Sequence, residues 1–196
     1  PGNGLVRRAR GWVLAAVGRP GDAAKEFRRS LALGGEQLEL LLDLAEAEID
    51  HARGEPSFAA GAVRTLVAAI RLGPEDPRPL YLRARLRILL GQDELADRDL
   101  DRALELDAEH VSSLVLRAAR TTDPAVALAD LDRADRSIAR PPDLGIARAR
   151  CLLALGRPEV AREALEGAVG PAVAGLRLEA AVGAGFRDRT GADNAR

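Results

Sequence analysis

The sequence predicts an all-α chain, built as a stack of antiparallel helical hairpins. Three observations predict it. Ala, Leu, Arg and Glu dominate a chain of 196 residues in which aromatics are only 3%, so helix formers are plentiful and strand formers scarce. Gly and Pro recur at regular intervals and cut the chain into segments of roughly 11 to 17 residues with helical apolar spacing. The segments then align in pairs, the mark of a repeated unit.

The first helix ends at the break Gly18–Gly21, and the second runs from there to Gly34-Gly35. Gly54–Ser57 separates the third from the fourth, in a turn longer than the others by about three residues. Gly73–Pro77 ends the fourth helix. Gly91–Asp93, Asp107–Glu109 and Thr122–Pro124 then divide the fifth, sixth, seventh and eighth. Pro141-Pro142, Gly156–Pro158 and Gly170-Pro171 bound the ninth and tenth, and an eleventh follows over 172–186. Turns this short make consecutive helices antiparallel neighbours.

The hairpins also share a seam. In residues 77–110, Ala84 is small where the partner helix must approach, Gly91 closes the first helix, and Ala96, Leu100 and Ala103 fall at i, i+4 and i+7 of the second. The same set recurs as Gly11, Gly18, Ala23, Phe27 and Ser30, and as Ala47, Gly54, Ala62, Leu66 and Ala69. It returns as Ala118, Ala127, Leu131 and Ala134, with a shortened turn at Asp123-Pro124, and as Ala149, Gly156, Ala161, Leu165 and Ala168. Helices cross closely only where contact residues are small, and a large residue fills the gap to the next unit. On these residues the chain resembles the tetratricopeptide repeat (TPR) family, whose unit is a helical hairpin of about 34 residues. The resemblance implies a right-handed α-solenoid over 4–170, with units near 4–37, 38–76, 77–110, 111–141 and 142–170. Residues 171–186 then form a C-terminal capping helix, which needs one polar face. The polar residues 187–196 read as a disordered tail.

Composition excludes several classes. With 29 Lys+Arg against 30 Asp+Glu, the chain lacks the basic excess of a nucleic-acid binder. Cys151, the only cysteine, rules out a disulfide scaffold and reads as a small buried hydrophobe. No apolar run reaches the ~18 residues of a membrane span, and the start Pro1-Gly2-Asn3-Gly4 is no signal peptide, so a cytoplasmic location is expected. The absence of an initial Met suggests a processed chain or a segment of a longer one. No glycine loop cradles phosphate, and His51 and His110 read as helix-end residues rather than metal ligands. Asp97, Arg98, Asp99, Asp101 and Arg102 in Gln92–Asp107 read as a solvated, salt-bridged helix face. No catalytic set converges, so neither an enzyme nor a cofactor is expected.

The TPR resemblance further implies that first helices line a concave groove. The family's inward places fall on Arg8 and Trp12, then Leu44, Glu48 and His51, then Arg78, Tyr81, Arg85 and Ile88. They continue with Ser112, Val115 and Ala119, and with Asp143, Ile146, Arg150 and Leu153. From these, Arg8, Trp12, Glu48, Arg78, Tyr81, Arg85 and Arg150 form the candidate binding set. Trp, Tyr and Arg are the types enriched at binding hot spots, although Trp12 and Tyr81 equally suit packing between hairpins. The implied function is protein–protein interaction, with a partner peptide or helix in the groove. Arginines 8, 85 and 150 suggest an acidic ligand, which Glu48 and Asp143 dilute. The family's clamp for C-terminal carboxylates is absent, because Asn occurs only at Asn3 and Asn194 and Lys only at Lys25. Two alternatives stay open: a regulatory or sensory segment of a larger bacterial kinase or transcription regulator, and a homo-oligomeric scaffold joined through Gly175, Gly183 and Gly185.

Overall fold

The computed structural model describes residues 3–136, 144–166, 173 and 176–182. They divide into two compact units, residues 1–108 and 109–196. Unit 1 holds α1 (Gly4–Ala16), α2 (Pro20–Gly34), α3 (Leu38–Gly54), α4 (Ala59–Leu72), α5 (Pro77–Leu89) and α6 (Asp93–Leu106). Unit 2 holds α7 (Val111–Arg120), α8 (Pro124–Asp135), α9 (Leu144–Ala154) and α10 (Pro158–Ala164), and residues 176–182 are also helical. The described residues contain no strand. The long turn of the second hairpin is a 3-10 turn at Pro56–Phe58.

Local chemistry sets the boundaries. Pro20, Pro77, Pro124 and Pro158 open α2, α5, α8 and α10. Proline suits that place, since its fixed φ is helical and the N–H it lacks would have had no partner. The Asp76 and Asp123 side chains accept from Arg78 N and Ala125 N and cap two of these helices. Three first helices end alike: Gly18, Gly91 and Gly156 adopt φ of 74°, 69° and 66°. Each sits between paired backbone bonds, as where Gly91 N donates to Ile88 O and Gln92 N to Arg87 O. Only glycine enters that left-handed well freely, so the turn reverses the chain within two or three residues.

Apart from the turn glycines Gly18, Gly54, Gly91 and Gly156, every described seam residue is buried, from Gly11 and Phe27 in the first hairpin to Ala161 and Leu165 in the last. A Cβ on Gly145 would fall 2.5 Å from the Ala164 carbonyl oxygen, so α9 and α10 meet backbone to backbone there. In unit 1, Leu42, Ile49, Leu66 and Leu86 of α3, α4 and α5 share one core, while Phe27, Leu40 and Leu44 join α2 to α3 in another. In unit 2, Val173, Leu176 and Ala180 pack with Ala149, Leu152 and Ala161. Within the proposed capping segment, Leu178 and Val182 are 66% and 64% exposed, so the outward side carries apolar as well as polar residues. Residues 137–143 and the tail 187–196 lie outside the described residues.

Buried ion pairs clamp three hairpins. Arg7 reaches Glu26, Arg83 reaches Asp99, and Arg117 reaches Asp130; each carboxylate is at most 5% exposed. Asp99 therefore leaves the solvated face read from the sequence, while Asp97, Arg98, Asp101 and Arg102 are exposed. Its position next to the buried Leu100 turns it inward, where Arg83 and Arg87 neutralise it.

Glu26 makes one of these clamps sensitive to acid. The Arg7 hydrogen bond, aided by Arg29, holds its carboxyl below the ordinary value of 4.5, against the opposing pull of burial. A carboxyl lowered in the folded state contributes stability above its unfolded value and loses it as pH falls through the folded one. The melting temperature is expected to fall below about pH 4.5, with Glu26→Gln showing a shallower acid limb. Melting curves at several pH values for both proteins check this; parallel acid limbs would remove Glu26 from the account.

Candidate functional site

The first helices of unit 1 form one row, with α1 touching α3 and α3 touching α5. Along α3, Glu39, Asp43, Glu46 and Asp50 stand at i, i+4, i+7 and i+11, which places them on one helix face. Arginines from both neighbours converge on this stripe. Arg8 Nε donates to Asp43 Oδ2 at 2.6 Å from α1. From α5, Arg78 Nη2 donates to Glu39 Oε1 at 2.7 Å, and Arg85 donates to Glu46 and Asp50 at 3.0 Å each. Arg78, also bonded to Asp76, is held further into its charged range by those two carboxylates.

The aromatic residues part company. Trp12 is 50% exposed, with the Arg8 guanidinium 4.7 Å from its ring centroid. Tyr81 is partly buried against the Leu42–Leu86 core, and Arg85 lies 5.9 Å from its ring. Beside Trp12 opens a cavity of about 340 Å³. Its floor includes Ala15, Phe27 and Ala47, and its rim carries Asp43, Glu46, Asp50 and Arg53.

Glu48 corrects the sequence reading. It is 3% exposed and lies away from this face, bonded to Arg28 of α2 and Thr65 of α4. Leu44 is core, and the His51 ring packs 4.4 Å from Phe58. The family places were carried onto α3 one residue out of register, and one residue turns a helix by about 100°. Moving back by one place recovers Asp43, Ala47 and Asp50, and Glu46 joins them on that face; the heptad-like spacing of Asp43, Glu46 and Asp50 was the signal available in the sequence. Arg85, with a side chain only 15% exposed, is occupied by two carboxylates and offers little to an acidic ligand. Arg150 is exposed on α9, a helix of unit 2. His110 precedes α7, and its Nδ1 meets Ser113 Oγ at 2.8 Å. Burial raises the Cys151 thiol above its ordinary pKa, the opposite of an activated nucleophile. Among the described residues no cluster could hold a metal ion, and no helix is long and apolar enough to cross a membrane.

Small-residue seams, glycine-closed turns and an aligned row of first helices define a helical-hairpin repeat protein. No family model and no curated protein matches the sequence. Solved structures do match, and they make the fold that of tetratricopeptide repeats. A thermophilic TPR protein of Thermus thermophilus superposes with a TM-score of 0.67 at 21% identity, covering 92% of this chain and 98% of that one. Yeast Tom70 gives 0.70 at 17% identity over 96% of this chain, which spans 40% of the Tom70 chain. A tetratricopeptide repeat protein of Parabacteroides merdae gives 0.51 at 16% identity, covering 95% of this chain and 88% of that one. At these identities the likeness is one of fold.

Proposed function

We propose that the chain is a protein-interaction module whose first-helix face in unit 1 takes up a peptide or helix of a partner around Trp12. One observation carries this reading: the only tryptophan of the chain is half exposed at the mouth of a cavity whose apolar lining includes the buried Phe27 and Ala47. A rigid aromatic ring in such a place gains much contact area on binding at small entropic cost, which is why tryptophan dominates interface hot spots. The TPR-type fold supports the reading, because the resemblance implies ligand contacts from first helices.

Peptides selected from a displayed random library on the intact chain test it. Trp12→Ala should weaken the selected peptides by at least about thirtyfold, the loss of a hot spot worth roughly 2 kcal/mol or more. The helical circular-dichroism signal should stay unchanged, since Trp12 lies outside the core. Peptides that bind the variant as tightly as the parent would move the site elsewhere.

A further inference from the structure

The face around Trp12 covers Arg8 and Arg85 and displays its anions. Arg85 is 15% exposed and Arg8 20%, whereas Glu46 and Asp50 are 60% and 40% exposed. Each carboxylate has about four lone-pair sites, and the Arg85 hydrogen bonds to Glu46 and Asp50 use one on each. The cavity between α1 and α3 then combines an apolar floor with a carboxylate rim. A long basic side chain has the matching build: an aliphatic stem that prefers apolar surface and a charged head that prefers carboxylate. A glutamate or aspartate from a partner would meet the rim's like charge, and Arg8 and Arg85 are already paired from behind.

We propose that this groove docks a basic peptide segment, with an arginine or lysine stem lying over Phe27 and Ala47 beside Trp12 and its head held by Glu46 and Asp50. This rests on the interaction-module reading and names the chemistry of its partner. It also replaces the acidic ligand that the sequence suggested. Arg53 sets a further expectation. It lies on the rim, 63% exposed and 3.7 Å from Asp50, so it competes with an incoming cation for that carboxylate.

Because Trp12 is the only tryptophan, its emission reports occupancy of the groove directly. The intact chain would be titrated with three acetylated, amidated peptides of equal length, carrying two arginines, two glutamates or two leucines at the same places in an alanine–serine background. The arginine peptide should shift the emission and bind at least about tenfold more tightly than the other two, with affinity falling as salt rises. Glu46→Gln should weaken it about two- to fivefold and Arg53→Gln strengthen it by a similar factor, the range of an exposed charge pair. Glu46 sits on the exposed rim and Arg85 keeps Asp50, so neither variant threatens the fold. Equal or tighter binding of the glutamate or leucine peptide, no binding of the arginine peptide, or indifference to both variants overturns the proposal. Library peptides that need Trp12 yet lack basic residues would sink it while leaving the interaction module standing.

Discussion

Asp99→Ala is expected to cost about 3 kcal/mol of stability, enough to lower the urea midpoint markedly. Asp99 is 3% exposed and accepts from Arg83 Nε at 2.9 Å and Nη2 at 2.6 Å, with Arg87 Nη1 2.6 Å away. Removing the carboxylate strands two guanidinium groups whose side chains are only 31% and 23% exposed. Breaking a buried pair costs about 3–5 kcal/mol because the remaining charge keeps its desolvation penalty. Here the arginines have a route to solvent, which selects the lower end. The same geometry predicts an asymmetry. Arg83→Ala leaves Asp99 with Arg87 and should cost clearly less. Replacing Asp99 and Arg83 together by leucine should recover part of the loss, since of the two cations only Arg87 is then left without its carboxylate, still bonded to the Leu95 carbonyl, and the volume is filled. Urea unfolding followed by circular dichroism separates these cases. An Asp99→Ala variant within about 1 kcal/mol of the parent would show that the pair contributes little.

That clamp marks where sequence reasoning ran out. Gly18, Gly91 and Gly156 were legible because a left-handed turn needs glycine, and the seam was legible because Gly11, Ala47, Ala84 and Ala149 repeat at a fixed offset from the turn glycines. Asp99 was not legible in the same way. It stands among Asp97, Arg98, Asp101 and Arg102, and composition alone gives all five one solvated face. Its inward turn shows only when its place beside Leu100 is set against Arg83 across the hairpin, and that pairing is tertiary. The site behaved similarly. Arg8, Trp12, Arg78, Tyr81 and Arg85 were named from the sequence, and the structure brings them onto the α1–α3–α5 row. Glu48 was misplaced because the three-residue turn Pro56–Phe58 obscured the register of α3. The stripe Glu39, Asp43, Glu46 and Asp50 was visible as a period, yet nothing in one helix says which neighbours it will face.

The contact between Gly11 and Phe27 yields an effect whose sign depends on its partner. A Cβ on Gly11 would lie 2.4 Å from Phe27 Cε1 and 2.6 Å from Cδ1, closer than carbon atoms approach. Phe27 is 1% exposed among Ala23, Ala24, Leu40 and Leu44, so its ring has little room to withdraw. Alanine in a helix interior is about 0.8–1.0 kcal/mol better than glycine. Overpacking a filled core costs about 1–3 kcal/mol, so the clash outweighs the propensity and Gly11→Ala is expected to destabilise. Phe27→Ala alone should cost about 3–5 kcal/mol, for lost burial and the cavity left behind. In that background the obstacle is gone, and Gly11→Ala should now stabilise, by the propensity gain and by partial filling of the cavity. Denaturant unfolding of the parent, both single variants and the double variant measures the coupling. A Gly11→Ala substitution that stabilises the parent, or acts alike in both backgrounds, would show that the α1–α2 seam does not require glycine. The opposite signs would show that the crossing distance of this hairpin is set by one absent side chain against one aromatic ring, which in turn holds Trp12 at the mouth of its cavity.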